Sequence, residues 1–543
     1  MTTSLQNEAG YHVDFDDILV ELGEMGRYQI FLYILICLPV LFAASNSLSY
    51  VFTAGVPDYR CFIPECEDPS DTTYEVPWKK WAIPDPEAIH TIGVKSDLCY
   101  RYMSIPADGN KTCSEKLFIN VTEKCSEFVF DNGERTIVND WNITCVENQW
   151  KLSLVGSSHF AGIIIGSFVF GVLADRFGRK LVFIWCILLM SVSGSFQVLS
   201  PEYWTFVSLI FINSLGTAGV YPLAFIIGVE MVGKRRRELA GITLNYFYAI
   251  GEAIVAPLAW YTKDWVYLQL LVSAPALVFV VYYWLVPESV RWLLANQRRE
   301  EAKKVVISVA KANKVMLSDD IINSFTEIAP LKDAKQIQEQ HETQRIITVV
   351  KEMLSYRILV LRFVIIYFIW GVNAFIFYGL SINSTSLGGN KYVNFALVCL
   401  VEIPGYSVAW IAIEKIGRRL SLVASLIVCG ITCTLTIFAS GWSVVTLFLI
   451  GKLGITSAFG VVYVYTAEML PTIIRSGGVG TASTIARFGA LLAPFVPMLG
   501  LYYAPLPMLL FGIVALIAGL LALKLPETRG IPLPESVQEA LNV

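Results

Sequence analysis

A chain of 543 residues that is 55% hydrophobic and only 16% charged departs from soluble proteins, in which about a quarter of residues carry charge. The formal charge of −4 by itself points to no partner, and no basic tail or recognition helix for nucleic acid occurs in the sequence. Apolar runs near twenty residues recur along the chain, long enough to cross a bilayer core of about 30 Å, so the partner that composition points to is lipid.

In chain order, residues 1–27 are polar and acidic, with no cationic segment leading to a cleavage site, so no signal peptide is expected. Within them DFDDILVELGEMG predicts a short amphipathic helix on the inner membrane surface. A first span is expected at 28–50. Residues 53–149 then form a polar loop holding six of the eleven cysteines: Cys61, Cys66, Cys99, Cys113, Cys125 and Cys145. An even set in one polar segment predicts three disulfides and an oxidising compartment, with fifteen possible connectivities. Three N-x-Thr sequons at Asn110, Asn120 and Asn142 point to the same compartment and to a small glycosylated subdomain.

Spans are expected at 151–173, 181–199, 204–228, 239–261 and 265–286, closing a bundle over 28–286. A second polar segment, 287–357, has helical spacing in RREEAKKVVISVAKANK but no cysteine or sequon, as suits a reducing compartment. Six more spans follow at 358–380, 391–413, 420–440, 443–466, 477–499 and 505–525, then a tail over 526–543. Twelve spans put both termini on one side. The loops on that side hold Arg176, Arg179, Lys180, the run Lys234 to Arg237, Lys415, Arg418, Arg419 and Arg475, so the positive-inside rule makes the termini cytoplasmic and the disulfide loop extracellular.

The two halves repeat. Asp175 in GVLADRFGRK and Glu414 in AIEKIGRRLS are 239 residues apart, as are Pro287 in PESVR and Pro526 in PETRG. Glu230 with Arg237 and Glu468 with Arg475 are Glu-to-Arg pairs of equal spacing, offset by 238 residues. An internal duplication is the economical explanation, and many transporter folds are built that way.

GVLADRFGRK, PESVRWLL and PETRG resemble the loop signatures of the major facilitator superfamily. The cysteine-rich loop after the first span, with LVEIPGYSVAWIAIEKIGRR and TAEMLPTIIRSGGVGTASTIARFGALLAPF, resembles the organic cation, carnitine/zwitterion and organic anion transporters. The resemblance implies an all-α polytopic membrane protein, twelve helices in two pseudo-symmetric six-helix bundles that rock about a central cavity. It implies a gate at the cytoplasmic helix ends, where Asp175 with Arg176 and Arg179, Glu230 with Arg237, Glu414 with Arg418, and Glu468 with Arg475 would pair when that gate is shut. The alternative is that these charges only fix topology.

Ionisable residues inside a membrane are costly and usually functional. Glu252, Glu402, Lys452 and Arg487 are the main cases, and His159 reads as a packing residue. Glu402 matches the acid that organic cation and carnitine transporters carry in the eighth span. Arg487 stands where cation carriers typically have aspartate and where anion and zwitterion carriers have arginine. An acid for an ammonium and a guanidinium for a carboxylate suggest a zwitterion. The alternative is that Glu402 or Glu252 pairs with Arg487 and neutralises the cavity.

Among the aromatics along the implied cavity, Tyr33, Tyr221, Tyr246, Tyr248, Trp370, Phe377, Tyr378, Phe459 and Tyr463, several align with cavity positions of the cation carriers: Tyr221, Tyr248, Phe377 and Phe459. Such faces hold alkylammonium groups by about 0.5–2 kcal/mol each. The expected function is a plasma-membrane carrier of small organic cations or zwitterions. An anion exchanger of the same family and a non-transporting sensor remain as rivals. A co-transported sodium ion or proton stays open, and no cofactor is expected. No nucleotide loop, metal-ligand cluster or nucleophile–His–acid set argues for an enzyme.

Overall fold

The computed structural model describes residues 15–22, 25–68, 73–84, 98–105, 113–131, 133–233, 236–318 and 345–542. Asn110, Lys234 and Arg235 lie outside the described residues. Among the described residues, eleven helices are long and apolar enough to span a bilayer: α1 (Arg27–Thr53), α2 (Val146–Phe177), α3 (Arg179–Leu199), α4 (Tyr203–Met231), α5 (Arg237–Thr262), α6 (Trp265–Leu285), α7 (Arg357–Ser386), α8 (Lys391–Lys415), α9 (Arg418–Phe438), α10 (Trp442–Met469) and α11 (Arg475–Tyr502). The twelfth, α12 (Leu506–Ala522), is an apolar helix of 17 residues, at the short limit for a span.

Packing repeats with the sequence. In the first half α2 and α3 pack on α4, α1 on α5 and α3 on α6; in the second, α8 and α9 pack on α10, α7 on α11 and α9 on α12. One apolar core, including Ile36, Ile187 and Ile227, fills the first bundle, and another, including Ile369, Leu426 and Phe448, fills the second. A third cluster joins them: Phe52, Phe206 and Trp265 from the first half meet Phe395 and Cys399 of α8. That seam lies at the end of the bundles that carries the cysteine loop.

Proline sets two local breaks. Pro404 has no N–H to donate to the carbonyl of Leu400, and α8 is interrupted at Val401. Pro275 lies where α6 tightens into a 3₁₀ stretch over Ala274–Val281. The first break matters for function, because Glu402 opens the second half of α8.

The cysteine loop forms three disulfides, Cys61–Cys125, Cys66–Cys113 and Cys99–Cys145. They staple two short antiparallel ribbons: β1 (Tyr59–Cys61) pairs with β4 (Phe128–Phe130), and β2 (Tyr100–Ser104) with β3 (Phe118–Lys124). Arg60, fully buried, makes a two-point ion pair with Glu67 at 2.8 and 2.7 Å. Asn120 is exposed, and Asn142 is exposed in the left-handed backbone that ends a short helix. The loop touches both bundles. Arg135 pairs with Asp264 at the α5–α6 turn, while Glu134 accepts hydrogen bonds from Lys391 and, at 2.5 Å, from the Tyr392 hydroxyl.

The amino-terminal helix, Phe15–Glu21, is present as expected, but its apolar side faces protein. Ile18, Leu19 and Leu22 are buried against Trp292, Leu293 and Val306 of the linker helices. The linker supplies two of these, Val290–Ala295 and Arg299–Asn313.

Non-reducing peptide mapping is expected to return the three pairings above. Removing Cys99–Cys145, which closes 46 residues, should lower stability by about 4 kcal/mol of loop entropy, measured as the thermal midpoint in detergent. Any other pairing would overturn the loop architecture.

Candidate functional site

The charged helix ends are held by a device that occurs twice. In the first half the Glu288 carboxylate accepts from the backbone N–H groups of Arg179 and Lys180, at 3.0 and 3.1 Å. In the second, Glu527 accepts from Arg418 and Arg419 at 2.9 and 3.1 Å. Each carboxylate thereby caps the first N–H groups of a helix, where the helix dipole favours negative charge. Burial pushes the Glu288 carboxyl above the usual range, opposed by the N–H groups of Lys180, Ser289 and Arg179.

Gly178 and Gly417 precede the two caps with φ of 106° and 102°. A Cβ on Gly178 would sit 2.3 Å from Glu288 Oε2, and one on Gly417 would sit 2.8 Å from Glu527 Oε2. The Gly-Arg step of both signatures is therefore fixed by backbone hand and by the space the carboxylate needs.

Next to each cap is a second acid. Glu230 accepts from the Ser289 hydroxyl and Glu468 from the Thr528 hydroxyl, residues at the same offset. Asp175 pairs with Arg179 at 2.5 Å, one turn away on an exposed face. The guanidinium partner of Glu468 is Arg418, at 2.7 Å, rather than Arg475; Arg475 reaches back to the Leu470 carbonyl and Thr472. Glu414 and Arg176 are exposed, the latter over the Phe177 ring, and Arg237 begins α5. The Asp175–Arg179 pair lies wholly within the first bundle, and the Glu468–Arg418 pair wholly within the second.

The mid-membrane charges gather on the seam. Glu252 (α5), Glu402 (α8) and Lys452 (α10) are all 0% exposed. Lys452 Nζ donates to the Phe377 carbonyl at 3.1 Å and to Ser381 Oγ at 2.8 Å. It also lies 2.8 Å from Glu402 Oε1, off the line of an ideal hydrogen bond, and 3.4 Å from the centre of the Phe377 ring. Lys452 is thus held by two hydrogen bonds and one ion pair within its own bundle. Glu252, from the other bundle, faces Glu402 within hydrogen-bonding reach, yet neither of its oxygens meets a donor among the described residues. Two acids and one ammonium leave one carboxylate in excess.

Arg487 stands apart from this trio. It is half-buried beside Tyr463 and within electrostatic reach of Tyr378, and it makes no ion pair among the described residues. The internal pairing of Arg487 with Glu402 is replaced by the Lys452–Glu402 contact.

Tyr463 is 40% exposed although its ring lies 4.3 Å from that of Trp370, and it is within reach of Tyr221 in the opposite bundle. It lines the space between the bundles. Tyr221 packs edge-on to Tyr248 at 5.5 Å, Phe459 lies 5.6 Å from Tyr463, and Tyr378 meets Phe160 across the bundles at 4.8 Å. Tyr246 bonds Ser407 across the bundles at 2.7 Å. The Phe377 face is already taken by Lys452. Tyr33, Trp370 and His159 pack within their own bundles, through Ala240, Thr466 and Ser214.

Sequence reasoning missed Tyr406, which faces Glu402, Tyr221 and Tyr378, and Ser381, which holds Lys452. Tyr406 lies four residues after Glu402, on the same helix face, and that spacing was the available signal.

Residues 113–540 match the model of the sugar (and other) transporter family. The chain is 35% identical over 97% of its length to the organic cation transporter protein of Drosophila melanogaster, covering 94% of it. It belongs to the organic cation transporter family within the major facilitator superfamily. The carrier is also 30% identical to the human organic cation/carnitine transporter 2 over 98% of this chain and 94% of that one. Its fold is shared with the xylose transporter XylE of E. coli in a partially occluded inward-open conformation, with a TM-score of 0.57 at 14% identity, over 93% of this chain and 100% of that one. It is a multi-pass membrane transporter and not an enzyme.

Two outcomes are expected of variants. Lys452→Met alone leaves two buried carboxyls without a cation and should cost on the order of 3–5 kcal/mol of stability; Lys452→Met with Glu402→Gln should recover most of it, as read from thermal unfolding. Gly178→Ala or Gly417→Ala should abolish transport at normal surface expression, because the caps at the helix ends can no longer close. Full transport by either glycine variant would show that the caps are dispensable.

Proposed function

We propose that this transporter carries small organic cations or zwitterions across the plasma membrane by alternating access, with both termini in the cytoplasm. The observation that carries the reading is a buried Glu252–Glu402–Lys452 trio with one carboxylate in excess where the bundles meet, and a separate guanidinium, Arg487, with Tyr378 within electrostatic reach of both. An ammonium suits the first and a carboxylate the second, in a setting where low dielectric strengthens both attractions. Tyr221, Tyr248, Tyr378, Phe459 and Tyr463 would enclose the body of the cargo. Relatives named as organic cation and organic cation/carnitine transporters support this class of cargo.

Orientation follows from charge and chemistry. Disulfides need an oxidising side, which supports an exterior loop end, and the arginines and lysine beside the two caps support a cytoplasmic opposite end. The sequons at Asn120 and Asn142 are then on the glycosylated side. With the bundles joined at the loop end, the cytoplasmic gate residues pair inside their own bundles; Asp175, Glu230, Glu414 and Glu468 would re-pair across the bundles when that gate shuts. A net positive cargo would be drawn inward by about 2.3 kcal/mol per charge per 100 mV.

Uptake into proteoliposomes of a labelled carnitine-like zwitterion, a simple cation and a dicarboxylate tests this. Arg487→Ala should lower zwitterion uptake by at least about tenfold, or 1.4 kcal/mol, and leave the simple cation within a few-fold. Dicarboxylate uptake that survives Glu402→Gln and is lost in Arg487→Ala would move the protein to the anion carriers.

A further inference from the structure

Glu252 is a buried acid of α5 that faces the second bundle. It is 0% exposed, and neither oxygen has a donor among the described residues. The titratable groups facing it are Tyr50 from α1, Tyr248 from its own helix, Tyr378 from α7, Cys399, Glu402 and Tyr406 from α8, and Lys452 from α10. Lys452 is the one cation in that shell, and Phe377, Ser381 and Glu402 already hold it. A bare carboxylate facing another carboxylate in a dry seam is strongly unfavourable.

We propose that Glu252 and Glu402 share one proton, and that this proton is a ligand of the arrangement in which the bundles meet at the loop end. One hydrogen atom satisfies both observations. The Glu252 carboxyl becomes the donor that the Glu402 carboxylate faces, and the net charge of the trio falls to zero. A metal ion does not fit: no group of three metal-binding side chains occurs among the described residues, and the Lys452 ammonium would repel it. The step balances simply. The O–H bond of Glu252 forms with a proton taken from water as the bundles close, and breaks with the proton returned to water as they part.

Glu252 belongs to the first bundle and Glu402 with Lys452 to the second, so the bridge exists only while the seam is shut. By linkage, a ligand of the shut seam favours it, and lowering the pH must shift the carrier toward loop-end closure. The cargo consequence rests on the proposed function: a cargo ammonium and the proton are alternative partners of one excess negative charge, so each displaces the other.

The test is a distance between spin labels at Trp204→Cys and Trp442→Cys. These residues are 54% and 82% exposed at the loop ends of α4 and α10, whereas the five native free cysteines are buried. In nanodiscs without cargo, from about pH 5 to about pH 9, the short-distance population should dominate at acid pH and give way to a longer one at alkaline pH. Glu252→Gln, whose amide N–H stands in for the proton, should stay short throughout. A cargo-free distance that ignores pH in the otherwise native carrier overturns the proton site, whether or not Glu252→Gln folds; so does a Glu252→Gln protein that titrates like its parent. If distances move with pH but no cation or zwitterion is taken up, the transport reading falls and the proton site stands. If uptake is intact and distances ignore pH, the reverse holds.

Discussion

The Lys452–Glu402 contact sets the terms for the rest of the molecule. An ammonium with no solvent exposure is tolerable only with a full set of acceptors, and here it takes a carbonyl and a hydroxyl from α7 and a carboxylate from α8. Those three acceptors pin α7, α8 and α10 to one another, so the second bundle has a rigid polar centre rather than a purely apolar one. The acid sits at a local break in α8, where Pro404 leaves the Leu400 carbonyl without its helical N–H donor. The excess charge then comes from the other bundle, through Glu252. Acids from both bundles therefore meet one ammonium at a single place.

The helix ends solve a different problem. A rocking motion needs hinged bodies whose ends keep their shape, and the Glu288 and Glu527 caps do this by satisfying backbone N–H groups at the starts of α3 and α9. With the ends internally tied, the acids alongside are free to change partners. Glu468 on Arg418, and Glu230 on Ser289, are contacts inside one bundle that a cross-bundle partner can replace.

The parts of this arrangement differed in how plainly the sequence carried them. Spans were legible because lipid demands apolar length, and the twelve helices fall within a few residues of the apolar runs. The duplication was legible in the spacing of Asp175 and Glu414, but the capping role of Glu288 and Glu527 was not. They appeared only as repeat markers, since a cap depends on a chain reversal at Gly178 or Gly417 that brings distant residues together. Six cysteines announced three disulfides without saying which. Glu402 and Lys452 both stood out as intramembrane charges, yet nothing in one dimension says that α8 and α10 turn those faces toward each other, and Arg487 was an equally good partner on paper. Tyr406 carried only the four-residue spacing from Glu402, a signal easily passed over because an aromatic in an apolar run is usually packing.

Duplication and selectivity pull against each other here. At the repeat offsets of 238 and 239 residues, the counterparts of Glu402, Lys452, Glu252 and Arg487 are Ile163, Ser214, Ala490 and Ala249, none of them charged. The contact equivalent to α8–α10 in the first half is α2–α4, and there the polar link is neutral, His159 to Ser214 at 2.6 Å. The caps, by contrast, are kept in both halves. Symmetry is retained at the helix ends, and the charges buried at mid-membrane depart from it. A carrier with equivalent charges in both halves would present its cargo with two mirror sites, and a molecule with distinct ammonium and carboxylate ends would gain nothing from either being duplicated. Within the membrane, the buried acid of α5, Glu252, and the half-buried guanidinium of α11, Arg487, each lack a charged counterpart in the other half, so the charge at the centre of the molecule is asymmetric although the helix ends are not.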